Sequence, residues 1–416
     1  MEKKTISNRG SIVCRGCGSK RLSSILNLGS HPLPAEYGRN ADDVLETFPL
    51  HLHICSDCGL GQLGEFVLPE RIFHETYPYI SSASSTWIEH SRLYANEMYR
   101  ALSLDSNSLV LELASNDGYL LSEFKKLGVP VLGVEPATMV ANLAIKSGVD
   151  TIIDFFGVKL ANKILSEYGH PRLIAANNVF AHIPDMLDFM HGMSILANDS
   201  TIITIENPSF VHLLKGNLFD TIYHEHYSYL TAHSVQAVAR LYALNLVHID
   251  NLSTHGGSNR YWLSRSMQAD ETVNAILELE KQAGLFDPNE WFDFAERSKS
   301  AIQGLRQWFL ERKQAGDTVV GYGAAHKGNT FLNAVGEASR NLLYVVDASI
   351  EKQGKFLPGS QVPVLAPEQL GSANPTDVLI LPWNIASELS EQIKKNAPAA
   401  RIWVAQPSMR QINLEK

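Results

Sequence analysis

Two Cys-x-x-Cys pairs, Cys14-Arg-Gly-Cys17 and Cys55-Ser-Asp-Cys58, hold every cysteine of this 416-residue chain. Each pair is followed by a glycine, Gly18 or Gly59, which lets the backbone turn so that both thiolates face one point. Four sulfurs around one ion make the closed tetrahedral arrangement of a structural zinc site, with no position left for water or substrate. In a reducing compartment such pairs read as metal ligands rather than disulfides. The pairs lie farther apart than the ~15–20 residues of a compact zinc ribbon, so an insertion must fold between them. A segment this short has little core of its own, and the metal supplies folding free energy.

The length suggests two or three domains. Hydrophobic residues at 45% and charged residues at 19% fit an ordinary globular protein. A net charge of −9 argues against a nucleic-acid partner, which needs a basic surface. No apolar run approaches the ~20 residues that span a membrane, and the start, MEKKTISNRGS, lacks the apolar stretch of a secretory signal. A cytoplasmic location is expected, with neither membrane nor nucleic acid as partner.

Leu109-Val-Leu-Glu-Leu113 is a short apolar run that ends in the turn Ala114-Ser-Asn-Asp-Gly118. Helical character follows from Tyr119 to Leu127, and a second apolar run, Val131–Val134, closes on Glu135-Pro136. This predicts a β-α-β unit of a doubly wound sheet, with a ligand at the carboxyl ends of the strands and an acid after the second strand for a ribose. The turn has one glycine and lacks the three-glycine pattern that admits a dinucleotide pyrophosphate. It carries Glu112, Asn116 and Asp117 instead, which suit a ligand with ammonium and sulfonium charges and no phosphate. S-adenosylmethionine fits; a nicotinamide dinucleotide does not. Strands at Leu173–Ala176 and Thr201–Ile205 continue the pattern, and Asn178 and His182 follow the first of them.

The densest chemistry is in Asp220-Thr-Ile-Tyr-His-Glu-His-Tyr227. Such a cluster is costly in a core unless each group is paired. As a strand it would place Tyr223, Glu225 and Tyr227 on one face and His224 and His226 on the other; as a loop it could gather them all. A second metal site, purely structural hydrogen bonding and general acid–base work are the three readings. The last is favoured because histidine titrates near neutrality and a glutamate can orient its ring.

Near the carboxyl end, Phe294, Ala301, Leu305 and Trp308 recur at helical spacing and read as core. Val319-Val320 then leads into Gly321-Tyr-Gly-Ala-Ala-His-Lys-Gly-Asn329, and Leu343–Asp347 repeats the strand-plus-acid ending. Gly321 and Gly323 permit close backbone approach, and a helix amino terminus with Lys327 suits a diphosphate; structural glycines are the alternative. His255-Gly-Gly-Ser-Asn-Arg260 offers further phosphate or sugar contacts, or a plain turn.

Taken in order, the two Cys-x-x-Cys pairs, ELASNDGYLL (112–121), NVFAHI (178–183), DTIYHEHYSY (220–229), THGGS (254–258), GYGAAHKGNT (321–330) and LPWN (381–384) closely resemble the sugar 3-C-methyltransferases. These act on thymidine diphosphate-linked keto-deoxysugars. The resemblance implies an α/β chain of three parts: a zinc-binding domain (1–75), a Rossmann-like S-adenosylmethionine domain (76–250) and a Rossmann-like sugar-nucleotide domain (251–416). It implies a monomer that uses S-adenosylmethionine and structural zinc. It places His226 as base, with Tyr223, Glu225, His182 and Tyr77 around the reacting carbon. Glu112, Asn116, Asp117, Gly118, Glu135 and Asn178 would hold the methyl donor. His224, Arg260, Gly321, Gly323, Lys327 and Asn329 would hold the nucleotide-linked sugar. The sequence departs from the family at Ala114, Tyr119 and His326, where smaller residues are usual. The alternatives are methylation of a sugar oxygen or nitrogen, a nicotinamide-dependent sugar oxidoreductase, and a non-catalytic zinc adaptor.

Overall fold

The computed structural model describes residues 6–7, 12–73 and 80–412, and the counts below refer to them. The insertion between the cysteine pairs is an antiparallel hairpin of β1 (Leu22–Pro32) and β2 (Thr47–Cys55), whose strands begin and end beside the two knuckles. In β2, Phe48, Leu50, Leu52 and Ile54 alternate at the period of a strand and are all buried. β3 (Gly61–Leu63) adds to β2, and the short strand Ser228–Tyr229 pairs with β3 in turn. The amino-terminal sheet is thus completed by residues that directly follow the histidine-rich segment.

The central sheet contains β4 (Val110–Leu113), β5 (Val131–Val134), β6 (Thr151–Ile152), β7 (Leu173–Asn177), β8 (Ile202–Pro208), β9 (Asn245–Leu252) and β10 (Ser258–Ser264), in the order β9-β10-β8-β7-β4-β5-β6. β10 runs antiparallel to both of its neighbours, while β8, β7, β4, β5 and β6 pair in parallel. The helices before and within this unit include α1 (Ser85–Ala101) and α2 (Tyr119–Lys126). The chain order reverses at β4, which sits between β5 and β7, and the crevice at its carboxyl end is where a ligand belongs. The division expected at 250/251 falls within β9, and the sheet continues through β10 to Ser264.

After α3 (Pro288–Ala315) comes a second doubly wound sheet: β11 (Val319–Tyr322), β12 (Leu342–Val346), β13 (Val364–Leu365), β14 (Asp377–Ile380), β15 (Arg401–Val404) and β16 (Arg410–Gln411). Its order is β13-β12-β11-β14-β15-β16, parallel except for β16. α4 (His326–Val335) starts just past β11, at this sheet's own reversal point. Phe294, Leu305 and Trp308 of α3 are buried as the helical spacing predicts, with Ala301 packed at the margin. One apolar core joins Leu50, Leu52 and Ile54 of β2 to Phe210, Phe219, Phe294 and Phe331. That shared core fixes the amino-terminal sheet and the histidine-rich segment against the carboxyl-terminal domain. No helix among the described residues is long and apolar enough to cross a membrane.

Candidate active site

The four thiolates converge: their sulfurs lie within 4.8 Å of one another, with Cys14–Cys58 and Cys17–Cys55 each at 3.6 Å. A tetrahedron with zinc–sulfur bonds of about 2.3 Å has edges of about 3.8 Å, whereas a disulfide needs about 2 Å. The residues fit zinc. Arg15, between the first two cysteines, sends its guanidinium to the carbonyls of Leu63 and Tyr227, and its backbone N–H donates to Gln62 Oε1 at 2.9 Å. The metal knuckle therefore braces the residue next to His226.

At the carboxyl end of β4 three acids gather, and no cation pairs with them among the described residues. Glu112 is buried with Oε2 unpartnered, and one oxygen of Asp117 is likewise unpartnered among the described residues. Burial, and then the charges of Glu135 and Asp117, hold the Glu112 carboxyl well above the usual range. Both oxygens of Glu135 accept backbone N–H bonds, from Asn116 at 3.0 Å and Ala137 at 2.8 Å, so that it clamps the first two strand ends together. The turn between them is tight. Ala114 and Asn116 have φ of 57° and 51°, and a Cβ on Gly118 (φ 78°) would lie 3.1 Å from Ala144 and Val149. Such an arrangement would draw in a cationic, phosphate-free ligand, and the S-adenosylmethionine cation fits it.

A cavity of about 670 Å³ runs from the Asn116 and Glu135 side of this cradle to the start of α4, with Glu112, Asp117 and Gly118 set behind its lining. Asn116, Glu135, Asn178 and His182 line it from the central domain, Tyr223, Glu225 and His226 from the histidine-rich segment, and His326 and Lys327 from α4. The segment is a turn, with His226 N–H donating to Tyr223 O at 2.9 Å, rather than an alternating strand. That turn lets the adjacent Glu225 and His226 both reach the cavity. His224 goes the other way: it is buried, with Nε2 3.0 Å from the Phe48 carbonyl of β2, and anchors the turn.

His226 has a defined tautomer. Its Nδ1 lies 2.9 Å from Thr221 O, and a carbonyl only accepts, so Nδ1 carries the proton and Nε2 keeps its lone pair. The ring packs 4.8 Å from His182 and 4.1 Å from Tyr223 between centroids. Burial first, then His182, push its pKa down to about 3, so it is neutral at physiological pH. Burial lowers His182 and His224 as well, and takes His31 down to about 4. The unfolded chain takes up protons at these positions near pH 6.5 while the folded chain does not. Stability is therefore complete above about pH 7 and falls on acidification, by up to ~1.4 kcal/mol per pH unit for each such histidine. Urea unfolding at pH 7.5 and 5.0 checks this; equal midpoints would mean the histidines are not buried in neutral form.

At the far end Lys327 Nζ reaches Asn384 Oδ1 at 3.1 Å and sits 4.9 Å from the Trp383 ring, while Trp383 donates to Asp220 at 2.7 Å. Burial lowers the Lys327 pKa, with Asp220 opposing. Its ammonium is an under-used donor facing the cavity. Gly321 and Gly323 do not line the cavity; a Cβ there would strike Val345 at 2.7 Å or Pro382 at 2.5 Å, so they serve strand and loop packing. Asn329 is buried off the lining with Oδ1 unpartnered. Arg260 is also away from it, paired with Glu206 at 3.1 Å and Glu97 at 3.0 Å inside the central domain. Tyr77 and the side chain of His255 lie outside the described residues. Sequence reasoning missed Asn207, which is buried on the lining with Oδ1 unpartnered, and Lys352. The polar Glu206-Asn207 end of β8 was the available signal for the first; for Lys352 there was none.

Two solved methyltransferases are similar to part of the chain, at low identity. An S-adenosylmethionine-dependent methyltransferase from Anabaena variabilis is 14% identical with a TM-score of 0.34, over 42% of this chain and 84% of that one. One from Clostridium acetobutylicum is 11% identical with a TM-score of 0.35, over 44% and 92%. Residues 14–73 match a zinc binding domain family, 87–249 a methyltransferase domain family and 253–406 the C-methyltransferase C-terminal domain family. The C-methyltransferase NovU of Streptomyces niveus is 33% identical over 387 residues, 92% of each chain. On that likeness along nearly its whole length, the chain belongs to the S-adenosylmethionine-dependent C-methyltransferases that carry an amino-terminal zinc-binding domain.

Proposed function

We propose that the enzyme methylates C3 of a nucleotide diphosphate-linked 4-keto-deoxysugar through an enolate made by His226. The observation that carries this reading is the tautomer of His226: a neutral imidazole with its free Nε2 in a cavity between a cationic-ligand cradle and a lysine-bearing helix start. A ketone at C4 acidifies the neighbouring C–H. Nε2 takes the C3 proton, the C–H electron pair moves into the C3–C4 bond, and the carbonyl becomes an enolate oxygen. Tyr223 and His182, both on the lining, would hold that charge, and Glu225 would support the imidazolium. S-adenosylmethionine, when bound, supplies the methyl group that the carbanion takes up. Lys327 and the amino terminus of α4 suit the diphosphate. The family assignment removes the oxidoreductase and adaptor alternatives, and methylation of oxygen or nitrogen would leave His226 without a task.

The test has two steps. Calorimetric titration with S-adenosylhomocysteine should give one saturable site per chain. Incubation with a thymidine diphosphate-linked 4-keto-6-deoxyhexose in deuterated water, without donor, should then exchange the C3 proton. Exchange at C5, the other carbon beside the ketone, would keep the chemistry and move the methyl group. A bound sugar nucleotide with no exchange at either carbon would sink the enolate.

A further inference from the structure

The end of β8 sends two polar side chains to opposite faces of the central sheet. Glu206 turns into an ion cluster, 2.8 Å from His90 and 3.1 Å from Arg260. Asn207 follows it and so points to the other face, onto the cavity lining. Its side chain is buried. Oδ1 has no partner, and Nδ2 makes no hydrogen bond among the described residues. A buried amide left unpaired costs stability, and here the fold gives it nothing to hold.

The position of Asn207 ties it to both halves of the site. Asn178 N–H donates to the Glu206 carbonyl at 2.6 Å, so Asn207 adjoins the strand ends on the donor side. Two residues on, Ser209 bridges Leu230, and Phe210 N–H donates to the Leu230 carbonyl at 2.9 Å. Leu230 follows Tyr229, whose ring centroid lies 6.1 Å from that of His226. Asn207 thus stands where the donor side and the histidine-rich turn meet. The carbon that is methylated has to reach both, since the base and the methyl donor act on the same atom.

We infer that Asn207 is a further catalytic residue: its Nδ2 donates a hydrogen bond to the sugar's keto oxygen and holds that oxygen as it becomes an enolate. The inference rests on the keto-sugar reading above. Oδ1 is enclosed, which leaves Nδ2 as the polar atom open to a ligand. An amide N–H suits the task. It is neutral, keeps its proton across the working pH range, and needs no rearrangement as charge develops on the oxygen.

The experiment compares the native enzyme with Asn207→Ala and Asn207→Asp on a thymidine diphosphate-linked 4-keto-6-deoxyhexose. Turnover, proton exchange in deuterated water, S-adenosylhomocysteine affinity and thermal unfolding are measured on each. Asn207→Ala is expected to lower kcat and the exchange rate together by roughly 10²-fold, as loss of one oxyanion donor does, with KM within about threefold. Its melting temperature should not fall, because the amide holds nothing in the free enzyme. Aspartate keeps the shape but donates only when protonated, so its activity relative to native should drop as pH rises from about 6 to about 9. An alanine variant with native exchange would overturn the inference. So would an aspartate variant as active as native at every pH. A lower melting temperature together with lost donor-product affinity would mark a structural residue and overturn it as well. If the native enzyme bound S-adenosylhomocysteine but exchanged neither C3 nor C5, the keto-sugar reading itself would fall, and this inference with it.

Discussion

His226→Ala is expected to lower kcat by roughly 10³- to 10⁴-fold while leaving the affinity for S-adenosylhomocysteine within about threefold of native. The two effects separate because His226 belongs to the histidine-rich turn, whereas the proposed donor cradle of Glu112, Asn116 and Glu135 is built at the ends of β4 and β5. The Thr221 carbonyl fixes the ring with Nε2 unprotonated, and alanine leaves nothing there to accept the C3 proton. Deuterium exchange at C3 should vanish along with methyl transfer, since both pass through the same enolate. His226→Gln refines the test: it can still donate to Thr221 O and fill much of the space, but it has no basic nitrogen. It should be as inactive as alanine and closer to native in stability. A His226→Ala enzyme that still exchanged the C3 proton would move the base to another residue, with His182 next to be examined.

Much of this was legible in the sequence because the motifs act locally. The β4 turn is read from an apolar run that stops at Leu113 and a glycine at position 118, and the structure explains both through burial and a left-handed turn. The cysteine pairs were equally plain, since four thiols in two short spacings leave little else for them to do. What failed to show is whatever depends on distant segments meeting. Arg260 lies near a glycine turn and looks available to phosphate, yet its partners are Glu206, directly opposite on the neighbouring strand β8, and Glu97 of α1. His224 cannot be told from His226 by its flanking residues; only the position of the Phe48 carbonyl on β2 separates the anchor from the histidine that lines the cavity. Gly321 and Gly323 resemble a phosphate loop, but their missing side chains make room for Val345 and Pro382. The contact between His326 and Glu225 joins residues about a hundred positions apart, and no local periodicity reports it.

Removing zinc should cost catalysis out of proportion to donor binding, although the metal is far from being a reactant. The reason is mechanical. Cys55 ends β2, β2 pairs with β3, and β3 pairs with Ser228–Tyr229, two residues beyond His226. Arg15, held between Cys14 and Cys17, donates to the Tyr227 carbonyl as well. Without the metal, four thiols are left crowded together and the knuckle that carries Arg15 has no reason to keep its shape. Cys55→Ser, or exhaustive chelation, should lower stability by at least about 5 kcal/mol, given the strength of tetrathiolate zinc sites. At a temperature where the central sheet stays folded, kcat should fall by about 100-fold or more as the turn bearing Glu225 and His226 loosens. S-adenosylhomocysteine should still bind, because β4, β5 and the Glu135 clamp take no hydrogen bond from the amino-terminal sheet among the described residues. Metal content, circular dichroism, donor binding and turnover measured on the same preparation distinguish the outcomes. A metal-free enzyme with native kcat would show that the turn holds itself, and that zinc serves only the hairpin it closes.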